Sequence, residues 1–164
     1  MNIRPIKISD AEAFWQMQFE LDHETNYMMY EPNERTKNLE RIHSIISPAV
    51  EGNNLLLVAE DNNEIVGYIS AEKGELNRIK HTAYIVVGIR KDFQRKGIGS
   101  EFFKRLDLWA KEKVVTRLEL TVMCPNIIAK HLYEKRGFVV EGIKKNSMLV
   151  DGKYVDEYYM AKYL

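Results

Sequence analysis

Apolar and polar positions change rhythm several times along the chain. Ile3 to Ile8, IRPIKI, alternate with a period of two and predict an edge strand, after which Ser9 or Asp10 offers an N-cap for a helix running to about Asp22. A polar stretch broken by Pro32, HETNYMMYEPNERT, precedes a second helix over about Thr36 to Ile46. NNLLLVAEDNNEIVGYISAE reads as a hairpin that turns at Asp61, Asn62 and Asn63. His81 to Ile89, HTAYIVVGI, is apolar at both alternating sets of positions, so this strand is central and covered on two sides. From Ile98 to Val114 the residues Ile98, Phe102, Leu106, Trp109 and Ala110 recur at helical spacing, while Lys104, Arg105, Asp107 and Lys111 take the opposite side.

Arg117 to Val122, RLELTV, supplies the next strand. A strand, a helix and a strand of these lengths form a right-handed βαβ crossover with two parallel strands. After Pro125, Asn126 caps a short helix over Ile127 to Arg136, which Gly137 closes in the left-handed conformation. The tail, FVVEGIKKNSMLVDGKYVDEYYMAKYL, carries Asp151-Gly152 between two strand-like runs, a strong hairpin signal. The fold class is therefore α/β, mixed α+β, with a mixed sheet flanked by helices. No repeat or linker interrupts the chain, which reads as one domain over residues 1–164.

Composition narrows where function resides. Lys plus Arg equals Asp plus Glu at 24 each, so no global field draws the chain toward nucleic acid or an anionic membrane. Binding must come from a local site. The first residues lack the apolar core of a signal peptide and no apolar run approaches a membrane span, which makes a soluble cytoplasmic protein the expectation. Cys124 is the only cysteine, and His23, His43, His81 and His131 are scattered, so no metal is expected.

The chemistry concentrates in QRKGIGSEFF, Gln94 to Phe103. A Walker loop is absent, and the dinucleotide fingerprint fails because Phe102 stands where a small residue is needed. What remains is a strand ending near Ile89, a turn, and a helix whose first turn contains Gly97, Ile98, Gly99 and Ser100. Amides there have no intrahelical partner and the helix dipole adds partial positive charge, which suits a pyrophosphate; Arg95 and Lys96 add cations, although a solvated basic loop has the same residues. Downstream, Asn126 and Tyr133 lie close to two helical turns apart, about 10 Å along one face. That pair either serves one elongated ligand, or Asn126 only caps and Tyr133 only packs.

The order of buried strand, QRKGIG, amphipathic helix, RLELTV and N-x-x-A-x-x-L-Y-E-K-R-G-F resembles the GNAT superfamily of acetyl-CoA-dependent N-acetyltransferases. Gln94, Gly97 and Gly99 match its Q/R-x-x-G-x-G/A motif, Asn126 and Tyr133 match its downstream positions, and the similarity is strongest from about Ala83 to Val139. The resemblance implies a mostly antiparallel sheet of six to seven strands with about four helices, its central parallel pair splayed to admit acetyl-CoA. Gly88 would mark a bulge that starts the splay. Backbone groups of Val87 and Ile89 would pair with the pantetheine, amides from Arg95 to Ser100 would hold the pyrophosphate, and Asn126 and Ala129 would touch the cofactor further along. Tyr133 would act as general acid to the departing thiolate. Cys124 reads as a small buried filler rather than a nucleophile.

The base is left open by the same resemblance. Ala83 and Thr121 stand where family members carry a glutamate; Glu72, Glu75 and His81 are nearby substitutes, none of them assigned. The acceptor region would include Glu24, Tyr27 and Tyr30, a composition suited to a cationic amine. The tail is similar to those of ribosomal-protein, diamine and small-amine acetyltransferases. The expected acceptor is a small cationic amine or a protein N-terminus or lysine, and the expected assembly a homodimer. The alternative is a module that holds acetyl-CoA without turnover and acts through a protein partner.

Overall fold

The computed structural model describes all 164 residues. One seven-stranded sheet, in the order β1-β2-β3-β4-β5-β7-β6, forms the frame. Its strands are β1 (Asn2–Pro5), β2 (Leu55–Asp61), β3 (Glu64–Lys73), β4 (Thr82–Ile89), β5 (Arg117–Met123), β6 (Val139–Val150) and β7 (Lys153–Tyr163). The helices are α1 (Ala11–Glu24), α2 (Leu39–Val50), α3 (Ile98–Glu112) and α4 (Ile127–Lys135). Neighbouring strands are antiparallel except β4 and β5, the pair joined through α3. The mixed, mostly antiparallel sheet with four helices agrees with the expected fold class.

Two apolar layers hold the sheet. On one face Phe102, Phe103 and Leu106 of α3 and Tyr133 of α4 pack with Ala83, Ile85, Leu118, Leu120 and Met160. On the other face Phe14, Met17 and Leu21 of α1 and Ile42 and Ile46 of α2 pack with Leu56, Val58 and Tyr68. Burying side chains of this size stabilises by about 1.5–3 kcal/mol each. Phe102, expected to anchor the first turn of α3, is fully buried.

Three boundaries differ from the expectations, each for a local reason. β1 stops at Pro5 rather than Ile8 because the Asp10 carboxylate accepts from the Lys7 amide at 2.8 Å and from Arg4 at 2.7 and 3.0 Å, turning the chain. α2 starts at Leu39, where the Asn38 side chain accepts from the Arg41 amide. It also runs one turn past Ile46 through Pro48, whose carbonyl takes the Asn53 and Asn54 amides at 2.9 and 3.1 Å. The two expected hairpin turns form with paired positive φ, at Asn62 (49°) and Asn63 (65°) and at Asp151 (50°) and Gly152 (75°). Left-handed pairs of this kind match the twist of the flanking strands.

Candidate active site

The site begins where the only parallel pair ends. β4 and β5 pair at Thr82–Arg117, Ala83–Leu118 and Tyr84–Glu119 and then part, although β4 continues to Ile89 and β5 to Met123. Each strand beyond that point follows its outer neighbour: β3 holds β4 up to Ile89, and β7 holds β5 up to Met123. The Tyr84 hydroxyl and Thr121 Oγ1 meet at 3.0 Å across the opening. Gly88 does not start the splay, because its pairing with Tyr68 lies in an unbroken register. Glycine is required there for packing instead: a Cβ would stand 2.6 Å from Leu21 Cδ2 and 3.0 Å from the Tyr68 ring.

The open edge of β4 offers backbone groups. The Arg90 amide donates to the Val66 carbonyl at 2.9 Å, so the antiparallel alternation turns Val87 and Ile89 away from β3 and toward the gap. Gln94 Nε2 donates to the Ile89 carbonyl at 3.0 Å and closes the turn into α3. In that turn Arg95 (φ 60°) and Gly97 (φ 83°) adopt left-handed backbone. None of the amides from Arg95 to Ser100 finds an acceptor within the protein; the first intrahelical donor is Glu101, bonding to the Gly97 carbonyl at 3.1 Å. Successive unpaired amides at a helix N-terminus form an anion-binding concavity.

The two motif glycines do different things. A Cβ at Gly97 would meet nothing, so its positive φ is what calls for glycine. A Cβ at Gly99 would stand 2.9 Å from Leu132 Cδ2, so Gly99 lets α4 approach the start of α3. Asn126 does cap α4, its Oδ1 accepting from the Ala129 amide at 3.3 Å, while its side-chain NH2 has no protein partner. Tyr133 is 8% exposed and packs edge-on against Phe103, ring centroids 5.7 Å apart. Burial, then the nearby Tyr68 and Tyr84, pushes the Tyr133 phenol well above its ordinary pKa, and its hydroxyl has no hydrogen-bond partner in the chain. The phenol is held protonated and unspent.

These residues line one cleft of about 1300 Å³. Val87, Gly88, Ile89, Gln94, Arg95, Gly97 to Ser100, Asn126, Ala129 and Tyr133 line it, together with Glu24, Tyr27 and Tyr30. Lys96 does not; its ammonium lies 4.9 Å from the Phe93 ring centroid. The acceptor-side expectations are reshaped. The Glu24 carboxylate is spent on Arg90, at 3.0 Å, and on the Lys91 amide, at 2.7 Å, so it clamps α1 to the end of β4 rather than standing free for an amine. Burial lowers the Arg90 pKa, but Glu24, Glu20 and Glu64 around it raise it more. Tyr30 stacks under the Arg35 guanidinium at 4.2 Å, and the Tyr27 hydroxyl approaches the Pro125 carbonyl at 3.5 Å.

Other cleft residues carried no signal in the linear pattern. Arg35 reaches back from the polar stretch to bond Asp22 at 2.6 and 3.1 Å and Gln18 at 3.3 Å, pinning that stretch to α1. Glu157 of β7 lines the cleft at 8% exposure. The only trace of it in the sequence is an acidic residue alternating with Val155 and Tyr159. Ala83 is buried, and Glu72, Glu75 and His81 lie exposed and outside the cleft. Cys124 is half-buried, its amide donating to the Asp156 carbonyl at 2.9 Å. No cluster of three or more His, Cys, Asp or Glu side chains is arranged to hold a metal ion.

The profile of the Acetyltransferase (GNAT) family matches residues 14–138, a span from α1 through the glycine turn to the end of α4. This chain belongs to that family. An L-amino acid N-acetyltransferase, AaaT, of Escherichia coli (strain K12) is 34% identical over 110 residues, 65% of this chain and 66% of that one. The spermidine N(1)-acetyltransferase of Vibrio cholerae is 26% identical over 139 residues, 83% of this chain and 79% of that one. An acetyltransferase of the GNAT family from Streptococcus pneumoniae superposes with a TM-score of 0.94 at 26% identity, covering 99% of both chains. The enzyme is thus a GNAT acetyltransferase that works with acetyl-CoA. Amides without partners, a free strand edge and an unspent phenol in one cleft fit that donor.

Proposed function

We propose that the enzyme transfers the acetyl group of acetyl-CoA directly to the primary amine of a small cationic molecule, with Tyr133 as the general acid. The observation that carries this reading is the run of unpartnered amides from Arg95 to Ser100 opening on the same cleft as the Tyr133 hydroxyl. Those amides would hold the pyrophosphate, with the Arg95 side chain beside them. Val87 and Ile89 would hold the pantetheine along the edge of β4, and the Asn126 NH2 and the Ala129 region would fix its direction. The thioester supplies an activated acetyl group. An amine arriving from the α1–α2 face forms the new C–N bond as the C–S bond breaks. Tyr133 Oη gives its proton to the departing sulfur; burial keeps that proton in place at neutral pH.

The acceptor walls are aromatic and amphipathic: Trp15, Tyr27, Met28, Met29 and Tyr30, with the Arg35 charge already neutralised by Asp22. Such walls suit an ammonium-bearing molecule through cation–π contact. Relatives named for L-amino acids and for spermidine fall in the same chemical class. A peptide N-terminus or a lysine presents the same group and belongs to the same test. We place the enzyme in the cytoplasm as one acetyltransferase domain over residues 1–164, working without nucleic acid or membrane and as a homodimer. No helix is long and apolar enough to cross a membrane.

The test is thiol release from acetyl-CoA against amino acids, polyamines, aminoglycosides and peptides, with the acetylated product identified by mass spectrometry. Thiol released one-for-one with an acetylated amine is the expected result. Tight acetyl-CoA binding with no turnover in any class would replace this reading with a non-catalytic acetyl-CoA-binding module.

A further inference from the structure

A buried charge needs a partner, and one of the two buried carboxylates in this protein has none. Asp22, 1% exposed, is bonded by Arg35 at 2.6 Å. Glu157, 8% exposed, makes no hydrogen bond or ion pair within the chain, yet its oxygens are not sealed off, and the residue lines the cleft. An unpaired carboxylate that opens on a cleft is free to take a counter-charge from whatever enters it. The charged groups around it leave that role vacant. Lys144, opposite on β6, forms no ion pair with it; Arg35 is taken by Asp22 and Gln18; Arg90 is taken by Glu20, Glu24 and Glu64. The other titratable groups lining the cleft are Glu34, Arg41, Lys91, Arg95, His131 and Lys135 and the phenols Tyr27, Tyr30, Tyr68, Tyr84 and Tyr133, and none of them forms a hydrogen bond or ion pair with Glu157.

Its register places it on the acceptor side. Glu157 stands opposite Met123, and Tyr159 opposite Thr121, on the part of β5 that has already left β4. Leu118, Leu120 and Val122 point into the α3–α4 layer, so Thr121 and Met123, with their partners across β7, lie on the α1–α2 face. Tyr133 belongs to the α3–α4 layer. The phenol and the carboxylate therefore reach the gap from opposite faces of the sheet.

We infer that Glu157 receives the ammonium group of the acceptor and is the general base of the transfer. This rests on the function proposed above. The ammonium gives one proton to Glu157, which passes it to solvent. The neutral nitrogen then bonds to the acetyl carbon as the C–S bond breaks. The sulfur takes the Tyr133 proton, and the second proton lost by the nitrogen restores the phenol through water. Neither family position for a glutamate, Ala83 or Thr121, supplies a carboxylate, and Glu157 fills that role from a different strand.

The test compares wild type with Glu157→Gln, which keeps the shape and removes the charge, by kcat/KM for an acetylated amine across pH, together with the Kd for acetyl-CoA. At neutral pH the variant is expected to lose roughly 10²–10⁴-fold in kcat/KM. The deficit should shrink as pH approaches the pKa of the amine itself, and the Kd for acetyl-CoA should stay within about threefold. A loss that is the same at every pH, or no loss, overturns the assignment. If wild type acetylates no amine, the functional proposal fails on its own, and n-butylammonium titrated into both proteins and followed by NMR still decides the fate of Glu157. At least tenfold weaker binding by Glu157→Gln upholds the cation site; equal binding overturns it.

Discussion

Replacing Gly88 by alanine tests whether the acceptor face is held by close packing between α1 and β4. The added methyl would stand 2.6 Å from Leu21 Cδ2 and 3.0 Å from Tyr68 Cε1, where carbon contacts normally rest at about 3.5–4.0 Å. Both neighbours are held by packing on the α1 side. Leu21 is 2% exposed, and the Tyr68 ring is locked edge-on against Phe14 with centroids 5.2 Å apart. Relief requires Leu21 to leave its rotamer or α1 to lift from the sheet. Overpacking of this kind costs about 1–3 kcal/mol. For a chain of this size about 2 kcal/mol corresponds to a fall in Tm of roughly 4–8 °C. Because Gly88 lines the cleft, the KM for the amine should rise more than the KM for acetyl-CoA. The assay is thermal unfolding of Gly88→Ala, Leu21→Ala and the double variant. Leu21→Ala removes the obstructing methyl groups, so the double variant should be more stable than the sum of single losses predicts, by about 1 kcal/mol or more. An unchanged Tm for Gly88→Ala, or strict additivity, would refute the packing argument.

Three further outcomes follow from the geometry. Gly97→Ala forces an L-residue into φ 83° at a cost of about 1–2 kcal/mol; if the turn flips to escape, the amide cradle is lost. Calorimetry should then show acetyl-CoA binding roughly 5–30-fold weaker, whereas unchanged affinity with unchanged stability would contradict the cradle. Asp22→Ala leaves the half-sealed Arg35 guanidinium without its carboxylate, and urea unfolding should show a loss of about 3 kcal/mol, with a raised KM for the amine; wild-type stability would show that the pair does not pin the segment. The Glu141 carboxyl is held down to about 2, first by Arg117 and then by Tyr163. A depressed folded value adds stability above the unfolded pKa of about 4.3 and loses it as pH falls from there toward 2. Wild type should therefore lose more stability than Glu141→Gln between pH 5 and 2.5, less so in high salt because the pair is at the surface; parallel curves would contradict the linkage.

The half of the cleft lined by residues from short contiguous motifs was legible in the sequence. Gln94, Gly97, Gly99, Asn126 and Tyr133 reach the cleft through local geometry, a turn, a cap and a helical spacing, and local geometry is what a linear pattern carries. The acceptor half depends on side chains brought together from distant segments. Glu24 reads as one of several free acids in a polar stretch, yet Arg90, far along the chain, consumes it. Arg35 looks like a loop cation until Asp22 of α1 is seen beneath it. Gly88 looks like a bulge because a strand pattern does not report which helix will press on it. Glu157 had no legible role because its face is decided by β7 pairing with β5 past the point where β5 has left β4.

Tyr133→Phe separates proton donation from cofactor binding, with kcat for an acetylated amine and Kd for acetyl-CoA measured on the same preparation. The ring packing against Phe103 and Phe138 survives the change, and the hydroxyl removed has no partner to strand. If Tyr133 is the acid, kcat falls by roughly 10²–10⁴-fold while Kd stays within about threefold. A variant that turns over at the wild-type rate would contradict that role.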